Sequence, residues 1–175
     1  ADPEVTFGQL IGRENVSQKL RKRLDRVTYS TSAISLFLAV DMDLRAAGLD
    51  SGNYWFYSHH DLDQIYRNGM ADDVVHREIP EAIFLTVTTL KDPSKMYRGH
   101  HTVEAFAFVS HEPFRRWAAE PSGDRDGQYE KLKERLMSSM LSAIDARVPG
   151  FSKHVVFKAL GTPLSNEHYL NATRG

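Results

Sequence analysis

Two pairs of adjacent histidines are the side chains best equipped for chemistry in this chain. His59 and His60 precede Asp61 and Asp63, and His100 and His101 precede Glu104. Imidazole with carboxylate is a reasonable donor set for zinc or iron. The spacing argues against a metal. Neighbours on a strand point to opposite faces, so neither pair chelates from one side, and no H-E-x-x-H segment is present. The expectation is therefore hydrogen-bonding histidines at loop or strand edges, with no metal. Ser35, Ser110 and Ser165 lack a G-x-S-x-G context, so a hydrolase would have no nucleophile elbow. The glycines form neither G-x-G-x-x-G nor G-x-x-x-x-G-K-[ST], so the sequence offers no recognisable cradle for a pyrophosphate. No catalytic residue is assigned.

What remains is binding chemistry. Lys19, Arg21, Lys22, Arg23 and Arg26 lie on one side of a helical pattern and could meet phosphates or lipid head groups. Peripheral membrane contact is an expectation on that ground, beside the plainer reading of a solvated helix face. Nucleic acid is not an expected partner, because the net charge is −1 and no stacking aromatics alternate with these cations. The aromatics Phe37, Tyr54, Trp55, Phe56, Tyr57, Phe84, Phe106 and Phe108 all fall on predicted strands. They fit core packing, or one face of a sheet that walls an apolar cavity. The residue pattern leaves both open.

Those side chains need elements to hold them. Gly99 to Trp117 opens as a strand with His100, Thr102, Glu104, Phe106 and Phe108 on one face and His101, Val103, Ala105, Ala107 and Val109 on the other. Being apolar on both sides at its far end, it should sit centrally in a sheet covered on both faces. Thr31 to Val40 alternates likewise, with Ile34, Leu36, Leu38 and Val40 opposite Ala33, Ser35, Phe37 and Ala39. Asn53–Ser58, Ile83–Leu90 and Val155–Phe157 complete the predicted strands. Pro93 should end the strand Ile83–Leu90 and begin a long hairpin loop. Helices are predicted over 14–28, capped by Asn15; from His59; over 128–148, on Tyr129, Leu132, Leu136, Met140 and Ile144; and after Thr162-Pro163. Gly69 to Glu78 reads as loop. On the wet side of the long helix, Glu130–Lys133 and Lys131–Glu134 are expected pairs.

The 175 residues, 41% hydrophobic and 26% charged, suit a single domain spanning 1–175. The fold class expected is α+β, with a mixed, mainly antiparallel sheet of about 4–6 strands backed by helices. Cysteine is absent, which removes disulfides and thiolate ligands. A cytoplasmic location, with membrane association as an option, fits this composition. The start, Ala-Asp-Pro-Glu-Val, has no signal-peptide pattern and looks like a cut edge, and Arg174-Gly175 supplies no closing cap.

Six ordered segments then point to a family. Ser35–Gly48, Tyr54–Tyr57, Leu90–Ser94, Gly99–Glu104, Glu112–Trp117 and Gly161–Tyr169 resemble, in order and across nearly the whole chain, the phytoene desaturase-like flavoproteins, a group that includes carotene isomerases and retinol saturases. The resemblance implies the substrate domain of a larger FAD-dependent oxidoreductase, a sheet arching over the isoalloxazine ring, with both flavin-binding segments outside this sequence. It implies FAD in the parent protein and none held by this chain alone, which would neither bind flavin tightly nor turn over. The other partners implied are a hydrophobic polyene of carotenoid, phytoene or retinoid type and the FAD-binding domain of the same polypeptide. Phe37, Trp55, Phe106, Phe108 and Tyr169 are the candidate substrate wall, and His168 is a further residue able to approach flavin or substrate. Two rival readings stand beside this one: a free-standing hydrophobic-ligand-binding or interaction domain without flavin, and an amine-oxidase-like flavoenzyme.

Overall fold

Alternation in two nine-residue strands builds the centre of the molecule. The computed structural model describes residues 2–77 and 80–175. In β1 (Ser32–Val40) the side chains of Ile34, Leu36, Leu38 and Val40 are buried, and in β4 (His101–Val109) so are Val103, Ala105, Ala107 and Val109. The two strands pair antiparallel with Leu36 opposite Ala105 and Ile34 opposite Ala107. With β2 (Asn53–Tyr57), β3 (Ala82–Val87) and β5 (Val155–Gly161) they form one five-stranded sheet in the order β2-β3-β4-β1-β5. All four pairings are antiparallel. The fold is α+β, and β4 is the middle strand, as its composition implied.

One face of the sheet carries the core. The inward residues of β1, β3 and β4 cluster with Leu136, Met137, Met140, Ala143 and Ile144 of α4 (Gly127–Asp145). Phe114, Trp117 and Phe151 complete this layer. Each fully buried aliphatic or aromatic side chain contributes on the order of 1.5–3 kcal/mol. Asp126 caps α4 by accepting from the backbone N–H groups of Gln128 and Tyr129, and the same carboxylate accepts from the Trp117 indole at 2.9 Å. Gly150, at φ +82°, turns the chain after the helix, a conformation that costs other residues. At the far end, α5 (Pro163–Leu170) begins on Thr162, whose hydroxyl meets the Tyr129 hydroxyl at 2.8 Å inside the core.

Several expected boundaries move, each for a local reason. The helix expected over 14–28 is α1 (Gln18–Leu24), capped by Ser17. Asn15 instead donates to the Ile11 carbonyl, and Val27 is exposed. The strand predicted to Leu90 ends at Val87, because Thr88–Lys91 coils into a helical turn, α3. The Thr89 hydroxyl there accepts from the Thr102 N–H, substituting a side-chain bond for a ladder bond. The strand starting at Val155 runs on to Gly161. Gly69 belongs to α2 (Leu62–Gly69), capped by Asp61, and Val74–His76 form a 3-10 turn; Glu78 lies outside the described residues. A Cβ on Gly69 would meet the Phe108 Cβ at 3.0 Å, so glycine is what lets α2 approach β4. Glu130 and Lys133 pair at 3.3 Å, but Glu134 reaches Lys158 of β5 rather than Lys131.

The largest correction concerns the second face of the sheet. It was expected to be covered, yet Phe37, Trp55, Tyr57 and Phe157 on it are all exposed large side chains. Strand alternation made that face apolar without supplying a layer to bury it.

Candidate functional site

The uncovered face can be read row by row from the strand register. One row runs Trp55, Phe84, Phe106, Ser35, Gly161 across β2, β3, β4, β1 and β5. The next runs Asn53, Thr86, Glu104, Phe37, Ala159. The first row is aromatic on its β2–β4 side and nearly bare on its β1–β5 side, so the rings form a ridge beside a low strip.

The rings of the ridge touch one another. Phe84 and Phe106 stack with centroids 4.7 Å apart. Trp55 sets its edge against both, at 5.3 Å each, and stacks on Tyr57 at 5.8 Å and Phe108 at 6.0 Å. Tyr66 of α2 closes one end, edge-on to Phe108 at 6.4 Å. These separations lie in the range where aromatic pairs attract beyond their buried area, by about 0.5–1.5 kcal/mol per pair. The ridge is thus a firm surface, with its rings held by each other. Trp55 is still 40% exposed. A flat, apolar, extended molecule is the occupant such a surface suits.

Polar groups on this face are few. Thr88 and Thr102 share a hydroxyl–hydroxyl hydrogen bond, and Lys91 reaches the Asn53 side chain. Thr86 Oγ1 is buried without a hydrogen-bond partner. Glu104, opposite it, is exposed, and among the described residues no hydrogen bond or ion pair to its carboxylate is seen. No nucleophile with an adjacent base appears on the face.

The sequence candidates separate into two groups. Phe37, Trp55, Phe106 and Phe108 share the open face, the last three within the ridge and Phe37 one strand beyond it, across from Glu104. Tyr169 stands apart. It projects from α5, is 77% exposed, and meets the His168 ring at 4.7 Å. With Phe37, Ser35 and Gly161 it lines a separate open groove of about 540 Å³ at the β5 edge. Tyr57, Phe84 and Tyr66 belong to the ridge and were not among the candidates. The first two could have been found by aligning strand parities, since each shares a face with Trp55 or Phe106. Tyr66 required the docking of α2.

Two of the four paired histidines have ordinary structural partners. His101 Nδ1 lies 2.8 Å from the Thr89 hydroxyl, His59 Nδ1 accepts from the Asp61 N–H, and His59 Nε2 is 3.9 Å from Glu81. Among the described residues no three His, Asp or Glu side chains converge as a metal site would require. On the buried side of β2, the Tyr54 hydroxyl donates to Asp50 at 2.6 Å; this bond holds the Asp50 carboxyl below its usual range and pushes the Tyr54 phenol up. It secures the β1–β2 loop and is remote from the ridge face. No helix among the described residues is long and apolar enough to cross a membrane.

Comparison with known proteins adds relatives. No family model matches the chain. It is 27% identical to the all-trans-retinol 13,14-reductase of Danio rerio and 28% identical to that of Rattus norvegicus, over 89% of this chain and 26% of each relative. It is 26% identical to the chloroplastic prolycopene isomerase of Daucus carota, over 97% of this chain and 25% of that protein. The chain therefore spans about a quarter of the length of the curated relatives it matches.

Proposed function

We infer from its likeness to retinol 13,14-reductases and prolycopene isomerases, at low identity over most of its length, that the chain belongs with the phytoene desaturase-like oxidoreductases its sequence resembles. From this premise we propose that residues 1–175 form the substrate-binding part of an FAD-dependent oxidoreductase acting on a hydrophobic polyene. The observation that carries the reading is the uncovered aromatic ridge of Trp55, Phe84, Phe106 and Phe108. A polyene has few hydrogen-bonding groups, so its recognition must rest on apolar walls and length. The ridge supplies such a wall on a rigid sheet. Flavin, when bound in the parent protein, supplies the redox chemistry. This sequence has no glycine-rich pyrophosphate turn, so the diphosphate of FAD would be held by segments outside it. What these residues do is orient the substrate and exclude water from one side of it.

Titration with all-trans-retinol, followed by quenching of tryptophan fluorescence, tests this directly. Wild-type chain should show saturable quenching, and Phe106→Ala should weaken it on the order of tenfold, the loss of one well-packed aromatic contact. Saturable binding that Phe106→Ala leaves untouched would place the ligand elsewhere. Purification of the wild-type chain with stoichiometric yellow flavin would overturn the assignment of FAD to other segments. The amine-oxidase reading has one observation in its favour, the single carboxylate of Glu104 on the open face of the strands. The free-standing binding module would give the same quenching but a reading frame without a flavin segment.

A further inference from the structure

We infer that Glu104 makes this face selective for a polyene with a hydrogen-bond-donating end, a hydroxyl or an ammonium, over a pure hydrocarbon. The inference rests on the wall reading above and deepens it. Glu104 is the one carboxylate on the open face of the five strands, and it sits at a defined place. Phe106, two residues on, belongs to the ridge; Phe37 lies opposite on β1, and Thr86 opposite on β3. The face is thereby divided. Rings occupy the row of Trp55 from β2 to β4, whereas the row of Asn53, Thr86 and Glu104 is polar over the same strands.

Any molecule lying along the ridge and past Phe106 removes water from the Glu104 carboxylate. A hydrocarbon offers nothing in return, so an unpaired charge beside an unpartnered Thr86 hydroxyl would be shut away from solvent. A donor on the end of the ligand reverses this, because a hydrogen bond to an ionised carboxylate is among the stronger ones. Selectivity of this kind arises as much from penalising the wrong ligand as from rewarding the right one. Among the described residues no lysine or arginine is paired with Glu104: Lys91, beside the polar row, is bonded to Asn53.

The test compares three ligands of equal length on the 175-residue chain by tryptophan quenching: all-trans-retinol, retinylamine, and axerophthene, which carries a methyl where retinol carries its hydroxymethyl end. Wild type should prefer the alcohol or the amine to the hydrocarbon by about tenfold, the value of one charge-assisted hydrogen bond. Glu104→Leu should abolish that preference by tightening axerophthene and weakening the other two, while Glu104→Gln, which keeps an acceptor, should restore part of it for the alcohol. An amine bound more tightly than the alcohol supports the same role and assigns an ammonium end. Equal affinities for all three in wild type, or an equal loss for all three in Glu104→Leu, would overturn the role of Glu104 and leave the wall standing. Failure of all three to bind would overturn the wall, and the selectivity with it. Circular dichroism of each variant against wild type removes misfolding as a cause.

Discussion

Asp126 shows how much one carboxylate can organise. It accepts from two backbone N–H groups at the start of α4 and from the Trp117 indole, which joins the helix to the 3-10 turn Glu112–Trp117. The Tyr129 backbone N–H is the main reason its carboxyl lies below the usual range, with the indole, the Gln128 N–H and the charge of Arg116 acting in the same direction. A depressed folded-state pKa means the stabilisation is complete above the ordinary aspartate value and drains away as pH falls through the lowered one. Asp126→Asn keeps a cap but cannot ionise. Its melting temperature should therefore fall less steeply than that of wild type below about pH 4. Parallel melting curves from pH 6 down to pH 2 would mean that the cap does not contribute to acid unfolding.

At the scale of elements, the two faces of the sheet respond differently to the same kind of mutation. Met140 of α4 is fully buried against the inward residues of the sheet. Met140→Ala should cost about 2–5 kcal/mol, read as a lower urea midpoint at unchanged slope. A loss below about 1 kcal/mol would show that α4 collapses into the gap and packs more loosely than its burial implies. On the open face the rule inverts. Phe37 is 45% exposed and Phe157 58% exposed, so the double variant Phe37→Ser, Phe157→Ser removes only about half of each ring's contact area. It should lower the unfolding free energy by about 1 kcal/mol per ring, less than Met140→Ala costs for one side chain, while lowering the binding of a hydrophobic dye. A large drop in stability would mean these rings are packed against something, and the face would no longer be a candidate for a ligand.

The whole molecule is an unequal sandwich: α4 and the core on one side of a sheet, and on the other an aromatic ridge that only α2, at Phe108, and α5, at the β5 edge, approach. The termini meet, with Asp2 accepting from the Thr173 N–H at 2.9 Å and the Ser32 hydroxyl donating to the Gly175 carbonyl. The face parity of Ser32–Val40 and His101–Val109, the central place of β4 and the Thr162-Pro163 helix start were legible in the sequence, because alternation and capping are set by neighbours along the chain. So was the list of aromatics on strands, and the resemblance that pointed toward polyenes. What folding alone decided was which aromatics meet. Phe84 stacks on Phe106 because β3 and β4 pair in one register, and a slip of one residue would have sent one of them into the core. The same register put Glu104 beside Thr86 and Phe37, and the packing of α5 left Tyr169 outside the ridge. Local pattern determines which way a side chain points; only long-range pairing determines what stands next to it, and whether another layer arrives to cover it.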